Sequence, residues 1–346
     1  MGSKARDTAH FARAIGYWYD AKGHKANAAE VVPVTVETRR SIPRNRRFRL
    51  HYAYATSAHA WLPQYVKERE DVLASNLYFI GGGNMAEAII AAVRKHDDRY
   101  PVDHIYVEDI SEARLSYLEK TYQVTPATPR DTPDNVDIAV IAVRPQDDVT
   151  GVATSIINRF DQRTTSVVSI VAGYTIAQLE RTLGSERRIT RIIPNTLTTV
   201  DYGYSGVSSN QAAADAPDSV RKGLDAWLST FGKPLHVEER LIDVITGFYP
   251  PNLVYHFIDA YVDAGVLAGL PRDISKAIAL DTVIGGTELL KQRDVLPQVL
   301  LNINNSPGGV GITEAYTLNK TGFAAAIQSA VLAAVERTTK LGKEAQ

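Results

Sequence analysis

Leu77-Tyr78-Phe79-Ile80-Gly81-Gly82-Gly83-Asn84-Met85-Ala86-Glu87 runs from four apolar residues through a Gly-x-Gly-x-x-Ala turn into the start of a helix. Each small residue has a task in a turn built to hold a pyrophosphate. Gly81 permits the tight bend, Gly83 lets backbone approach the anion, and Ala86 lets the new helix pack against the strand it has just left. Free amides at that helix start, around Asn84 and Met85, then face the phosphates. A second run, His104-Ile105-Tyr106-Val107-Glu108-Asp109, ends in a carboxylate about 20 residues or a little more downstream. Asp109 can accept both ribose hydroxyls of an adenosine and would repel a 2′-phosphate. Ile110 stands where a phosphate site offers arginine, so the reading leans slightly to NAD over NADP, with NADH as the donor. Ser111 and Arg114 are close enough in sequence to receive a phosphate, which keeps NADP open.

On either side of this turn and beyond it, apolar strands alternate with helical patterns: strands at 77–80, 104–108, 138–143 and 167–171, helices at 85–95 and 112–122. This predicts an α/β fold, a Rossmann-type parallel sheet covered on both faces with its ligand across the carboxyl ends of the strands. Residues 138–143 are apolar throughout, as a strand buried on both faces should be. Past about residue 215 the texture changes to long apolar helices with short Gly/Pro breaks. In 255–266, Phe257, Ile258, Tyr261, Val262 and Val266 share a face opposite Asp259 and Asp263. Helices at 272–291 and 322–340 are rich in small residues and have little polar surface, so this half is expected to bury itself against another subunit. The expected division is a basic N-terminal extension at 1–75, a dinucleotide-binding domain at 76–214 and an all-helical dimerisation and substrate domain at 215–346.

Composition bounds the alternatives. The 346 residues are 45% hydrophobic and 22% charged, with a net charge of −1, as in an ordinary globular protein of two or three domains. No apolar run is long enough to span a membrane. The absence of cysteine excludes disulfides, thiolate metal ligands and a cysteine nucleophile, and agrees with a cytoplasmic protein. Charge is uneven: residues 1–75 hold 13 Lys and Arg against 7 Asp and Glu. Six of these, Arg39, Arg40, Arg44, Arg46, Arg47 and Arg49, form a patch that a nucleic acid could contact. A solvated loop joining two strands is the favoured reading of that patch. A helix at 5–20, strands at 31–36 and 47–55 and a helix at 64–74 would make the extension a small α+β unit. Asp7, Asp20, Glu30 and Glu37 break the acid-poor pattern of a transit peptide.

The scattered histidines lack the spacing of a zinc site, so no metal is expected. There is no Gly-x-Ser-x-Gly elbow and no phosphate loop ending in Gly-Lys-Ser/Thr. A dinucleotide turn without metal or nucleophile points to hydride transfer, where the nicotinamide carries the reaction and the protein orients it.

Together these residues resemble the pyrroline-5-carboxylate reductase family over about 270 residues, with its segments in order. Besides the turn at Gly81-Gly82-Gly83-Asn84-Met85, these are Ala142-Val143-Arg144-Pro145-Gln146, Ser169-Ile170-Val171-Ala172-Gly173 and Arg191-Ile192-Ile193-Pro194-Asn195-Thr196. Asp263-Ala264-Gly265-Val266 with Gly269-Leu270-Pro271-Arg272, and Ser306-Pro307-Gly308-Gly309, complete the series. The resemblance implies NAD(P)H-dependent reduction of a cyclic imine carboxylate to proline by a homodimer or higher oligomer. It sets Ala142, Val143, Arg144, Pro145 and Asn195 along the nicotinamide half of the cofactor, and makes Ser306, Gly308, Gly309, Val310, Gly311, Thr313 and Glu314 the substrate segment. There Ser306 would cap a helix with Pro307 in its first turn, leaving amides free for the substrate carboxylate. Two departures stand out. Tyr249-Pro250-Pro251-Asn252-Leu253-Val254-Tyr255 replaces the family's Ser-Gly-Ser-Gly-Pro-Ala-Tyr, and Gly311 replaces a threonine, with Glu314 available to pair with a protonated imine. Both departures suggest an altered acceptor pocket, for a larger or differently substituted imine. The competing classes are a non-catalytic dinucleotide-sensing or assembly protein, and a hydroxy- or amino-acid dehydrogenase, which would need a Lys or His base near the nicotinamide.

Overall fold

The computed structural model describes residues 75–344, and the elements expected at 5–20, 31–36, 47–55 and 64–74 lie outside them, as does the arginine patch. Strand β1, Ser75–Ile80, is buried at every position because its alternate side chains enter two different cores. Leu77 and Phe79 face one, with helix α1, Asn84–Lys95, and helix α2, Glu112–Tyr122. Tyr78 and Ile80 face the other, with helix α3, Val149–Ile157, and helix α4, Ile176–Leu183. Such double coverage is what a central parallel strand requires.

The remaining strands are β2, Val102–Glu108; β3, Thr125–Pro126; β4, Ile138–Ile141; β5, Ser166–Ser169; β6, Ile189–Ile193; β7, Tyr204–Ser209; and β8, Lys233–His236. They form one sheet of order β3-β2-β1-β4-β5-β6-β7-β8, parallel except where β7 runs against β6. The chain order reverses between β1 and β4, which is where a doubly wound sheet opens a crevice for its ligand. Helix starts are set locally. Ser111 caps α2 by accepting from Arg114 N, Asp148 caps α3 by accepting from Gly151 N, and Thr175 and Gln178 form a capping box on α4.

The sheet does not stop at residue 214. Helices α5, Gln211–Ala214, and α6, Asp218–Thr230, intervene, and β8 then pairs with β7, so strand structure continues to His236. Trp227 and Phe231, from the α6 region, fill the first core in an edge-to-face pair. Beyond β8 the described chain is helical: α7, Arg240–Phe248; α8, Asn252–Leu267; α9, Arg272–Arg293; α10, Pro297–Asn304; α11, Val310–Lys320; and α12, Phe323–Glu344. A Cβ on Gly247 would lie 2.5 Å from the Val335 amide nitrogen, so α7 and α12 meet backbone to backbone. Within one chain the helical part buries little: Ile242 and Gly247 on α7, Val262 on α8, Ser275 and Ala279 on α9, Thr338 on α12, and nothing on α10 or α11.

Candidate active site

Register sets the geometry of the crevice. Ile80 pairs with Glu108 on one side and Ile141 on the other, so Gly81, Asp109 and Ala142 leave the sheet side by side. Gly81 N donates to Glu108 O and Ala142 N to Ile80 O, both at 2.8 Å. Gly81 has φ of +103°, and a Cβ there would lie 2.7 Å from Ala142 O, so both conformation and contact demand glycine. Gly83 is glycine for another reason. Its φ of −64° suits any residue and an added Cβ would touch no protein atom within 4 Å. The space it leaves is outside the protein, where the phosphates of a dinucleotide would lie, and the residues present therefore fit that group. Asn84 and Met85 form the first turn of α1, and Ala86, 1% exposed, packs the helix onto β1.

Asp109 faces back into the turn. One carboxylate oxygen accepts from Gly82 N at 2.8 Å and the other from Ser111 N at 2.9 Å. Arg114, a candidate phosphate ligand by sequence, is committed beneath the turn. Its Nε donates to Gly82 O at 2.5 Å, and Nη2 donates to Gly83 O at 3.3 Å and to Glu87 Oε2 at 2.5 Å. Glu87 Oε1 also accepts from Tyr117 and Tyr122 hydroxyls at 2.9 and 3.0 Å. Burial alone would push the Glu87 carboxyl up, but the hydrogen bonds from Arg114, Tyr117 and Tyr122 outweigh it and hold it below the usual range. Burial and the bond to Glu87 push the Tyr122 hydroxyl up to about 12.

Strands β4 and β5 end sooner than the expected 143 and 171. After Ile141 the chain turns, with Arg144 N donating to Asp147 Oδ2 at 2.8 Å and the Arg144 side chain paired with the same carboxylate. Ala142, Val143, Arg144 and Pro145 thus line the carboxyl edge beside Gly81 instead of extending the sheet. Asn195 follows β6 and is buried. Its side chain accepts from Leu197 N at 2.9 Å and donates to Tyr249 O at 3.0 Å, so its polar atoms serve a cap and a link to the helical part.

The 306–314 segment differs from the expected cap. Ser306 and Pro307 lie in a turn before the helix, closed by Gly309 N donating to Ser306 O at 3.0 Å, with Gly308 at φ of +69°. Helix α11 starts at Val310, its N-cap is Gly309, and no side chain caps it. Serine does not cap because the left-handed Gly308 delays the helix. Gly308, Gly309, Val310, Thr313 and Glu314 line an open hollow of about 520 Å³ together with Thr317 and Leu318, and Val310 is 87% exposed. Gly311 faces α10 instead. A Cβ there would lie 2.8 Å from Asn304 O and 2.9 Å from Asn305 Oδ1, a steric reason for glycine where the family motif has threonine. The single-chain hollow contains none of the sheet-edge residues. Among the described residues no cluster of three or more His, Cys, Asp or Glu side chains could hold a metal, and no helix is long and apolar enough to cross a membrane.

Sequence reasoning missed the brace formed by Glu87 and Arg114 and the role of Tyr249, whose hydroxyl contacts Tyr202 O and Tyr204 N. Neither has a local signal, since each joins segments far apart in the chain.

A doubly wound sheet with a glycine turn at its switch point, followed by a helical domain, defines an NAD(P)H-dependent oxidoreductase. Residues 76–173 match the family described as NADP oxidoreductase, coenzyme F420-dependent, and residues 239–341 match the pyrroline-5-carboxylate reductase dimerisation family. The pyrroline-5-carboxylate reductase of Synechocystis is 37% identical over 282 residues, covering 79% of this chain and all of that protein. That of Escherichia coli is 32% identical over 271 residues, covering 77% of this chain and 97% of its own length. The crystal structure of Plasmodium falciparum pyrroline carboxylate reductase with NADP bound superposes with a TM-score of 0.68 at 27% identity, covering 78% of this chain and 98% of that one. The chain belongs to the pyrroline-5-carboxylate reductase family.

Proposed function

We propose that this protein reduces pyrroline-5-carboxylate to proline with NAD(P)H. The observation that carries the reading is the level ending of β1, β2 and β4, which sets the Gly81–Gly83 turn, Asp109 and Ala142 around one crevice. Bound there, the nicotinamide supplies a hydride for the carbon of the C=N bond, whose nitrogen takes a proton. The protein's part is orientation. Amides of Gly83, Asn84 and Met85 hold the pyrophosphate, Asp109 stands at the ribose end of the crevice, and Ala142, Val143, Arg144 and Pro145 flank the nicotinamide half. Asn195 acts from behind, by fixing the strand end. Amides of Gly308, Gly309 and Val310 receive the substrate carboxylate, with Ser306, Gly311, Thr313 and Glu314 around them. A protonated imine accepts hydride without a strong acid from the protein, which agrees with a site that offers no obvious one.

NADH is the better donor in this reading, because Asp109 is at the ribose position and Arg114 is tied to Gly82, Gly83 and Glu87. The steric demand for Gly311 supports an acceptor pocket that differs from the family's and takes a larger or differently substituted imine as well. The test is oxidation of NADH and NADPH with pyrroline-5-carboxylate and with piperideine carboxylates. Turnover of a cyclic imine carboxylate, faster with NADH, is the expected result. Coenzyme binding with no turnover of any of them refutes the reductase.

A further inference from the structure

We propose that the Glu87–Arg114 pair is a positioning device for the coenzyme, fixing the two peptides whose amides meet the pyrophosphate. The proposal rests on the reading of the Gly81–Gly83 turn as the coenzyme site. In a trans peptide the N–H points opposite to the preceding C=O. Arg114 draws the carbonyls of Gly82 and Gly83 towards itself, so the amides of Gly83 and Asn84 are turned the other way, out of the protein. Among the described residues neither amide has a protein acceptor, and no protein atom lies where a Gly83 side chain would be.

Glycines leave such a turn free to rotate its peptides, and a turn that fluctuates presents its amides only part of the time. A fixed guanidinium removes that freedom, because its planar fork donates to two carbonyls in one geometry. Glu87 supplies the fixation. It is in the first turn of α1, holds Arg114 through Oε2, and is itself held by two tyrosine hydroxyls from α2. Arg114 also lies over the Tyr117 ring, 5.2 Å from its centre. On the far side, Asp109 takes the Gly82 amide, so the Gly81–Gly82 peptide is fixed too. Arg114 therefore acts on the coenzyme through the backbone and touches no phosphate itself.

The device serves the pyrophosphate, which NADH and NADPH share, and this separates it from a direct 2′-phosphate contact. Binding of both coenzymes to Arg114→Met, Arg114→Lys and Glu87→Gln is measured by fluorescence titration, alongside kinetics with saturating imine and thermal unfolding. Arg114→Met is expected to weaken NADH and NADPH by the same factor, about tenfold, equivalent to one charge-assisted hydrogen bond. Glu87→Gln is expected to weaken both about threefold, and Arg114→Lys to recover part of the loss. In each variant KM for the coenzyme rises while kcat at saturation is unchanged. The proposal is overturned if NADPH suffers alone, if kcat falls at unchanged affinity, or if affinity is unchanged in variants that remain folded. It is also overturned if lost affinity in all three merely follows a lost melting transition. Wild-type protein that binds neither coenzyme removes the reading beneath it as well.

Discussion

Gly81 and Gly83 are two residues apart and respond to an added methyl group in opposite ways. At Gly81, with φ of +103° and Ala142 O 2.7 Å from an added Cβ, alanine must distort both the turn and the end of β4. Gly81→Ala should cost about 2 kcal/mol or more in urea unfolding, from the left-handed conformation and the clash together. Gly83→Ala should leave stability within about 0.5 kcal/mol, because its backbone is ordinary and its surroundings empty. Its cost falls on coenzyme affinity, about tenfold or more by titration, since the methyl group enters the space of the phosphates. Glu87 adds a pH dependence of known sign. Its folded carboxyl titrates below its ordinary range, so its stabilisation is complete above the unfolded value and lost as pH falls through the folded one. Coenzyme affinity should weaken along that acid limb in the wild type, and the Glu87→Gln variant should lack this component of the profile.

Strand β6 grips helix α7 at both ends, which makes this pair of elements the weld between sheet and helices. Arg191 on β6 is 1% exposed and pairs with Glu239 at 3.2 Å and Asp243 at 2.5 Å, while Asn195 beyond the strand holds the Tyr249 carbonyl at the far end. Glu239 also accepts from Ile176 N at 2.7 Å, drawing in the start of α4. Arg191→Met would leave two carboxylates facing an apolar chain. Both are about a quarter exposed, so the cost lies near the lower end for a broken buried pair, about 3 kcal/mol in urea unfolding. None of this pairing was legible in the sequence, although Arg191 and Asn195 both belong to a segment that was singled out. What was legible is what local spacing encodes. The glycine turn, the run of apolar residues in β1 and the helix Glu112–Tyr122 needed only periodicity and turn chemistry. Strands β7 and β8 escaped because they carry Gly206 and exposed Lys233, Leu235 and His236, with little apolar alternation. The start of α11 was misread because a serine before proline is a good cap signal, and only the backbone of Gly308 overrides it.

At the scale of the whole molecule, the two halves of the site have different needs. The proposed coenzyme crevice is assembled from strand ends of one sheet, all from one chain and backed by two buried cores. The helical half has no such backing. Ile284 and Leu332 are 65% and 68% exposed, Phe257 and Tyr316 are exposed as well, and the hollow beside Val310 is open. Exposed apolar side chains of this kind, on a domain that matches the family's dimerisation region, are covered in a homo-oligomer. Each large aliphatic side chain buried there contributes about 1.5–3 kcal/mol to association, and a carboxylate in its place opposes burial. Leu332→Asp should therefore shift the protein to monomer in light scattering at micromolar concentration. If the hollow at 308–318 becomes a substrate site only when a second copy covers it, imine turnover should fall with the dimer fraction, while NADH binding to the intact sheet edge stays within a few-fold of wild type. A monomer that keeps full turnover would place the whole reaction within one chain, and one that loses NADH binding would make the crevice depend on the partner too.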